Sequence, residues 1–174
     1  PGEAEEQQRL LRALLNLRPP MPASADFLSV QDAYLQAAIA QKGITDAVSF
    51  TRGKNGLYLW RGDIVTLRCD AIVNAANSAL LGCFYPCHDC IDNAIHTFAG
   101  VQLRLCCQRL MQGGQDPVGR ARITPGFNLP ARYVLHTVGP CIAGKPTRLE
   151  REQLAACYRS CLTLAREKGL DSVA

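Results

Sequence analysis

Residues 82–96 read GCFYPCHDCIDNAIH, and the rest of the chain is read outward from them. Three cysteines and two histidines stand here beside the aspartate at position 92. Cys83, His88 and Cys90 offer two thiolates and an imidazole, the donor set preferred by a borderline-soft cation such as zinc. Pro86 stiffens the loop between them. From Ile91 the pattern turns helical, which puts the cluster at the positive end of a helix, where anions are also stabilised. A zinc ion and a phosphate-bearing ligand are therefore expected to meet at this point.

Upstream, residues 3–17 read as a helix with acidic residues at its start and Leu10, Leu14 and Leu17 on one face, Leu11 alongside. The RPPMP stretch ends it. Ser29 with Asp32 resembles a capping box, and a second helix is expected through AYLQAAIAQK up to Gly43. The first 53 residues thus form a helical extension, and a main domain is expected over 54–174, beginning after the turn at Lys54, Asn55 and Gly56. In that domain LYLWRGDI, CDAIVNAAN and RYVLHTVGP read as strands, with a shorter one in ARITPGFNLP. Residues 91–112 and 147–168 read as helices, the second with Leu154, Cys157, Cys161, Leu164 and Ala165 on one face. Strands alternating with helices imply a three-layer α/β domain. A strand beginning at Ser172 would be expected to run further, so the domain is expected to be incomplete at its C-terminal end.

Composition narrows the function classes. The net charge of +4 over 174 residues suits an anionic small ligand and falls short of a nucleic-acid footprint. No apolar run is long enough to span a membrane. Nine cysteines, an odd count with an adjacent pair at Cys106 and Cys107, make poor material for a secreted disulfide framework. A cytoplasmic location is expected, with some thiols on metal and the rest as small core residues. A monomer is expected.

Three blocks then carry a family resemblance. GDIVTLRCDAIVNAANSALLGC (62–83) and ARITPGFNLPARYVLHTVGP (121–140) resemble the blocks of a macrodomain, an ADP-ribose-binding fold. GCFYPCHDCIDNAIH is similar to the signature of the zinc-dependent macrodomains, which remove ADP-ribose from proteins. The resemblance implies a three-layer α/β/α sandwich with an N-terminal helical extension. It also implies one zinc per chain on Cys83, His88 and Cys90, and ADP-ribose and mono-ADP-ribosylated protein as partners.

Residue roles follow from the same resemblance. Asp63 accepts from the adenine amino group with Ile64 behind it, and Asn77 lies beside the distal ribose. Gly82 and the helix start at Ile91 approach the pyrophosphate, and Asp92 orients a water or the ribose. Asp92 and Asn77 are the implied catalytic pair. On physics alone, Asp92 is more simply a first-turn aspartate favoured by the helix dipole. Cys87 could add a fourth ligand, a third sulfur, and close the metal site. Asn74 reads as a turn residue, and His96 and His136 as core histidines. An open metal position would supply Lewis acidity or a water of lowered pKa, which favours a hydrolase. The alternative is an ADP-ribose reader in which zinc only shapes the loop, because fold alone does not separate the two.

Overall fold

The computed structural model describes residues 2–50 and 54–174, so the expected domain boundary at 53/54 falls on residues outside those described. Helix α1 spans Glu3–Leu17, with Glu3, Glu5 and Glu6 in its first turn, and stops before Pro19. Its leucine stripe does not face the core: Leu10, Leu14 and Leu17 are 60%, 56% and 53% exposed. The polar edge faces inward instead, and Asn16 is the buried residue. Helix α2, Ala25–Lys42, begins earlier than the capping pattern suggested. Ser24, not Ser29, is the N-cap, its Oγ accepting from Phe27 N at 3.2 Å. Asp32 is drawn away to accept from the Gln102 and Asn128 side chains at 2.9 and 2.7 Å. Gly43, at φ +88°, ends α2 as expected.

Thr45–Asp46 (β1) pairs in parallel with Leu67–Arg68 (β2). The LYLWRGDI segment is not a strand. Leu57 to Arg61 has no strand partner among the described residues, and Leu57 and Leu59 are exposed while Trp60 stacks on Phe50. Alternation alone cannot hold a strand whose backbone groups lack a ladder. Asp63 closes the segment by accepting from Val65 N and capping the 3-10 turn Ile64–Thr66.

The main sheet has the order β3 (Ala71–Ala76), β5 (Tyr133–Val138), β4 (Ala121–Pro125). β3 and β5 run parallel, with Asn74 opposite His136, and β4 is antiparallel to β5. Val173 bridges Ala71 in parallel, so the start of the expected last strand lies on the other edge of β3. The helical run after residue 90 is two helices, α3 (Ile91–Ala99) and α4 (Val101–Met111), not one. Gly100 separates them at φ +93°, a conformation that an L side chain adopts only with strain. Helix α5, Arg148–Glu167, starts on a capping box of Thr147 and Glu150.

These elements form three layers. On one face of the sheet, Ile72 and Val134 pack with Ile95, Ala99, Leu103 and Cys107 of α3 and α4. On the other, Ala71 and Leu135 pack with Cys161 and Ala165 of α5. Cys157 is buried beside them, whereas Leu154 remains 46% exposed. The crossover from β3 into α3 leaves its loop at the carboxyl end of the strand, where open α/β sheets build their sites.

His136 is fully buried in β5, and burial pushes its imidazole down to about 4 from an ordinary 6.5. The folded chain therefore keeps it neutral, while the unfolded chain takes up the proton on going below pH 6.5. Stability is present above that pH and is lost as pH falls towards 4. The unfolding free energy from urea titration is predicted to drop across this window, by roughly 3 kcal/mol from His136 alone. A His136→Gln variant should lose that part of the slope.

Candidate metal centre and catalytic loop

Asn77 follows the last residue of β3, and its Nδ2 donates to the Gly82 carbonyl at 2.9 Å, closing the loop on itself. Gly82 sits at φ +79°, and a Cβ there would lie 2.6 Å from the His96 ring. No side chain fits at this position without moving the histidine. The loop thus reaches Cys83 with its backbone pressed on α3.

The donor atoms of Cys83, His88 and Cys90 all lie within 4.8 Å of one another, and the three side chains reach solvent. Cys90 is also the N-cap of α3, its Sγ accepting from Asn93 N at 3.4 Å. Burial pushes the Cys90 thiol up, the Asn93 N–H opposes this, and neighbouring Cys83 adds to the rise. Two thiols this close disfavour each other's ionisation, and a divalent cation between them reverses that. The donor set, its spacing and this electrostatic conflict all fit zinc. Cys87 stands outside the group, for its Sγ points to the Arg9 carbonyl of α1 at 3.4 Å and its N–H donates to Asn16 Oδ1 at 2.9 Å.

Asp92, in the first turn of α3, is 5% exposed. Its Oδ1 accepts from Asn74 Nδ2 at 2.8 Å, and among the described residues its Oδ2 has only the 3.4 Å contact from Asn77 Nδ2. Burial raises its carboxyl pKa, opposed by the Asn74 hydrogen bond and the Arg104 charge. Asn74 is therefore no turn residue: it lies in β3, fully buried, and orients this carboxylate. His96 Nε2 is 3.6 Å from Asp92 Oδ1, but burial holds that imidazole well below its usual pKa. The contact is not an ion pair.

His96, Cys107 and His136 form a second tight group, fully within the core. Asn74 Nδ2, already donating to Asp92, faces His136 Nδ1 at 3.2 Å, so Nδ1 accepts. The proton then sits on Nε2, 2.9 Å from Thr124 Oγ1. Burial also pushes the Cys107 thiol up to about 12. A protonated nitrogen and a protonated thiol make a hydrogen-bonded core cluster, not a ligand set.

At the expected adenine end, Asp63 pairs with Lys42 of α2 at 3.0 Å, both side chains about two-fifths exposed. Such a pair contributes little stability and leaves the carboxylate open to exchange partners. Ile64 packs half-buried on the core behind it, and Ile91 is the first residue of α3 after the Cys90 cap. Asn74, Arg104, Arg12 and Asn16 were not expected at the site. Arg104 is 5% exposed; its Nε donates to Leu81 O at 2.7 Å and its guanidinium lies 4.3 Å over the Phe84 ring.

With this geometry in place, the sequence can be compared with known proteins. The Macro domain family pattern matches residues 73–174, more than half of the chain. The chain belongs to the Macro domain family. A "Protein-ADP-ribose hydrolase" of Treponema medium is 56% identical over the whole chain, which covers 69% of that relative. One from Staphylococcus aureus (strain MRSA252) is 48% identical, again over the whole chain and 66% of the relative. The chain thus spans about two thirds of the length of these curated relatives. Among solved structures, a Trypanosoma brucei macrodomain in complex with ADP-ribose is 30% identical with a TM-score of 0.64, over 92% of this chain and 70% of that one. An Oceanobacillus iheyensis macrodomain with ADP is 42% identical with a TM-score of 0.57, over 64% of this chain and 58% of that one.

The raised Asp92 pKa gives this macrodomain a stability signature. At neutral pH the folded state holds a buried charge that the unfolded state holds in water. An Asp92→Asn variant should therefore melt at a higher temperature than the parent chain at pH 7. The gap should close as pH falls into the carboxyl range, where Asp92 takes up its own proton.

Proposed function

We propose that this chain carries the site of a zinc-dependent hydrolase that removes mono-ADP-ribose from modified protein side chains. The observation that carries the reading is the three-donor group of Cys83, His88 and Cys90 directly before a buried aspartate at a helix start. Three protein donors with the third sulfur, that of Cys87, turned away are the layout of an open metal position. The names of the relatives, and the ADP-ribose bound by the Trypanosoma brucei macrodomain, support the substrate class.

In this reading Asp63 receives the adenine amino group once Lys42 yields it, with Ile64 as the apolar wall. The backbone at Gly82 and the first turn of α3 from Ile91 face the pyrophosphate, where the helix N-terminus favours negative charge. Asn77 offers its amide to the distal ribose hydroxyls. Asp92 Oδ1 is committed to Asn74, which leaves Oδ2 to accept a proton from a water or a ribose hydroxyl. Its raised pKa makes it a better base than a solvated carboxylate, in line with general-base work near neutral pH. Zinc, when bound, supplies Lewis acidity next to these groups. The nine unpaired thiols suit a reducing compartment, and a cytoplasmic location is part of the proposal.

The test is release of free ADP-ribose from a mono-ADP-ribosylated protein, with a chelator and with metal added back. The expected result is release that stops on chelation and returns with zinc, and that falls at least ~100-fold in Asp92→Asn. Tight ADP-ribose binding without release on any linkage type would leave a reader module instead. Release unaffected by verified zinc removal would confine the metal to shaping the loop.

A further inference from the structure

The N-terminal helix carries no sequence motif, yet it touches the metal loop from more than seventy residues away in sequence. Arg12 Nη2 donates to the His88 carbonyl at 3.0 Å and to Asn93 Oδ1 at 2.9 Å, and its Nε reaches the same Asn93 oxygen at 3.3 Å. Asn93 in turn donates its backbone N–H to Cys90 Sγ and its side chain to the Tyr85 carbonyl at 3.0 Å. One guanidinium therefore holds the backbone of one expected ligand and the residue that hydrogen-bonds the sulfur of another. One turn further on, the buried Asn16 accepts from Cys87 N at 2.9 Å and donates to Thr97 Oγ1 at 2.8 Å. The end of α1 is fixed as well, because Arg104 Nη1 donates to the carbonyls of Leu15, Asn16 and Arg18 while its Nε holds Leu81.

We infer that α1 is a working part of the metal site, with Arg12 and Asn16 as positioning residues for the loop that carries His88 and Cys90. This rests on the zinc reading above. The chemistry of the contacts favours positioning over mere attachment. The leucine face of α1 points to solvent, so the helix is docked by its polar edge on this loop. The loop has no strand or helix of its own between Leu81 and Cys90. Groups that orient metal ligands from outside typically change metal affinity by about 10–100-fold when removed.

The experiment measures the dissociation constants of zinc and cobalt by competition with a chromophoric chelator, together with the cobalt visible band. It compares the parent chain with Arg12→Met, Arg12→Lys, Asn16→Leu and a control, Leu164→Ala, which loosens the packing of α5 on the opposite face of the sheet. Arg12→Met and Asn16→Leu are expected to weaken metal binding roughly tenfold or more and to shift the cobalt band. Arg12→Lys, which keeps a donor for His88, should recover part of the affinity. Leu164→Ala should lower the melting temperature with metal affinity within about twofold of the parent. Unchanged affinity and band in Arg12→Met and Asn16→Leu overturn the inference, and so does an equal loss in Leu164→Ala. A parent chain that takes up neither metal overturns the zinc reading and this inference together, whereas uptake by the parent with unaffected variants overturns this inference alone.

Discussion

The peptide from Leu81 to Cys90 belongs to no helix or strand, so much of what holds it comes from elements distant in sequence. Asn77 holds the Gly82 carbonyl, Arg104 the Leu81 carbonyl, Asn16 the Cys87 N–H, Asn93 the Tyr85 carbonyl and Arg12 the His88 carbonyl. The position of each expected metal ligand depends on this set of hydrogen bonds. A hydrogen bond from a charged donor contributes about 1.5–3 kcal/mol, and leaving its buried acceptor unpaired costs a similar amount. Arg104, 5% exposed, therefore fixes the Leu81 end of the loop, and the more exposed contact of Arg12 holds its His88 end. Arg104 needs no carboxylate partner for this, because the carbonyls at the end of α1 supply negative potential where a helix has it.

The same arrangement decides the charge state of the site. Asp92 lies deep, held by Asn74 from the middle of β3, and two neutral imidazoles lie close by. A neutral His96 gives the carboxylate no countercharge. Arg104 is the cation whose field reaches both Asp92 and Cys83. The sheet thus presents a carboxylate of raised basicity at the mouth of a cluster that favours a divalent cation. Burying Asp92 costs stability, and in the proposed reaction the same burial is what makes it a base.

Much of this was legible in the sequence, for identifiable reasons. The apolar run Ala71 to Val73 and the block Tyr133 to Val138 had to pair in a buried sheet, and they do. Cys83, His88 and Cys90 were readable because donor type and spacing are local properties, and they come together as a group. The failures share a cause in tertiary context. Leu57 to Trp60 alternates like a strand but finds no ladder among the described residues. Ser29 has the cap pattern, but Asp32 is claimed by Gln102 and Asn128 from another part of the chain. The leucine stripe of α1 pointed to a core face, whereas the helix docks through Arg12 and Asn16. Asn74 looked like a turn residue because its partner Asp92 is eighteen positions away. Long-range polar contacts leave no period in a sequence, and those are what set this site.

The proposed hydrolase depends on an open metal position made by two sulfurs and one imidazole. Zinc K-edge X-ray absorption on the zinc-loaded chain measures it most directly. Two sulfur scatterers at about 2.3 Å and two lighter ones at about 2.0–2.1 Å, one of them from His88, are expected. Three sulfurs, with Cys87 recruited to close the shell, would contradict it.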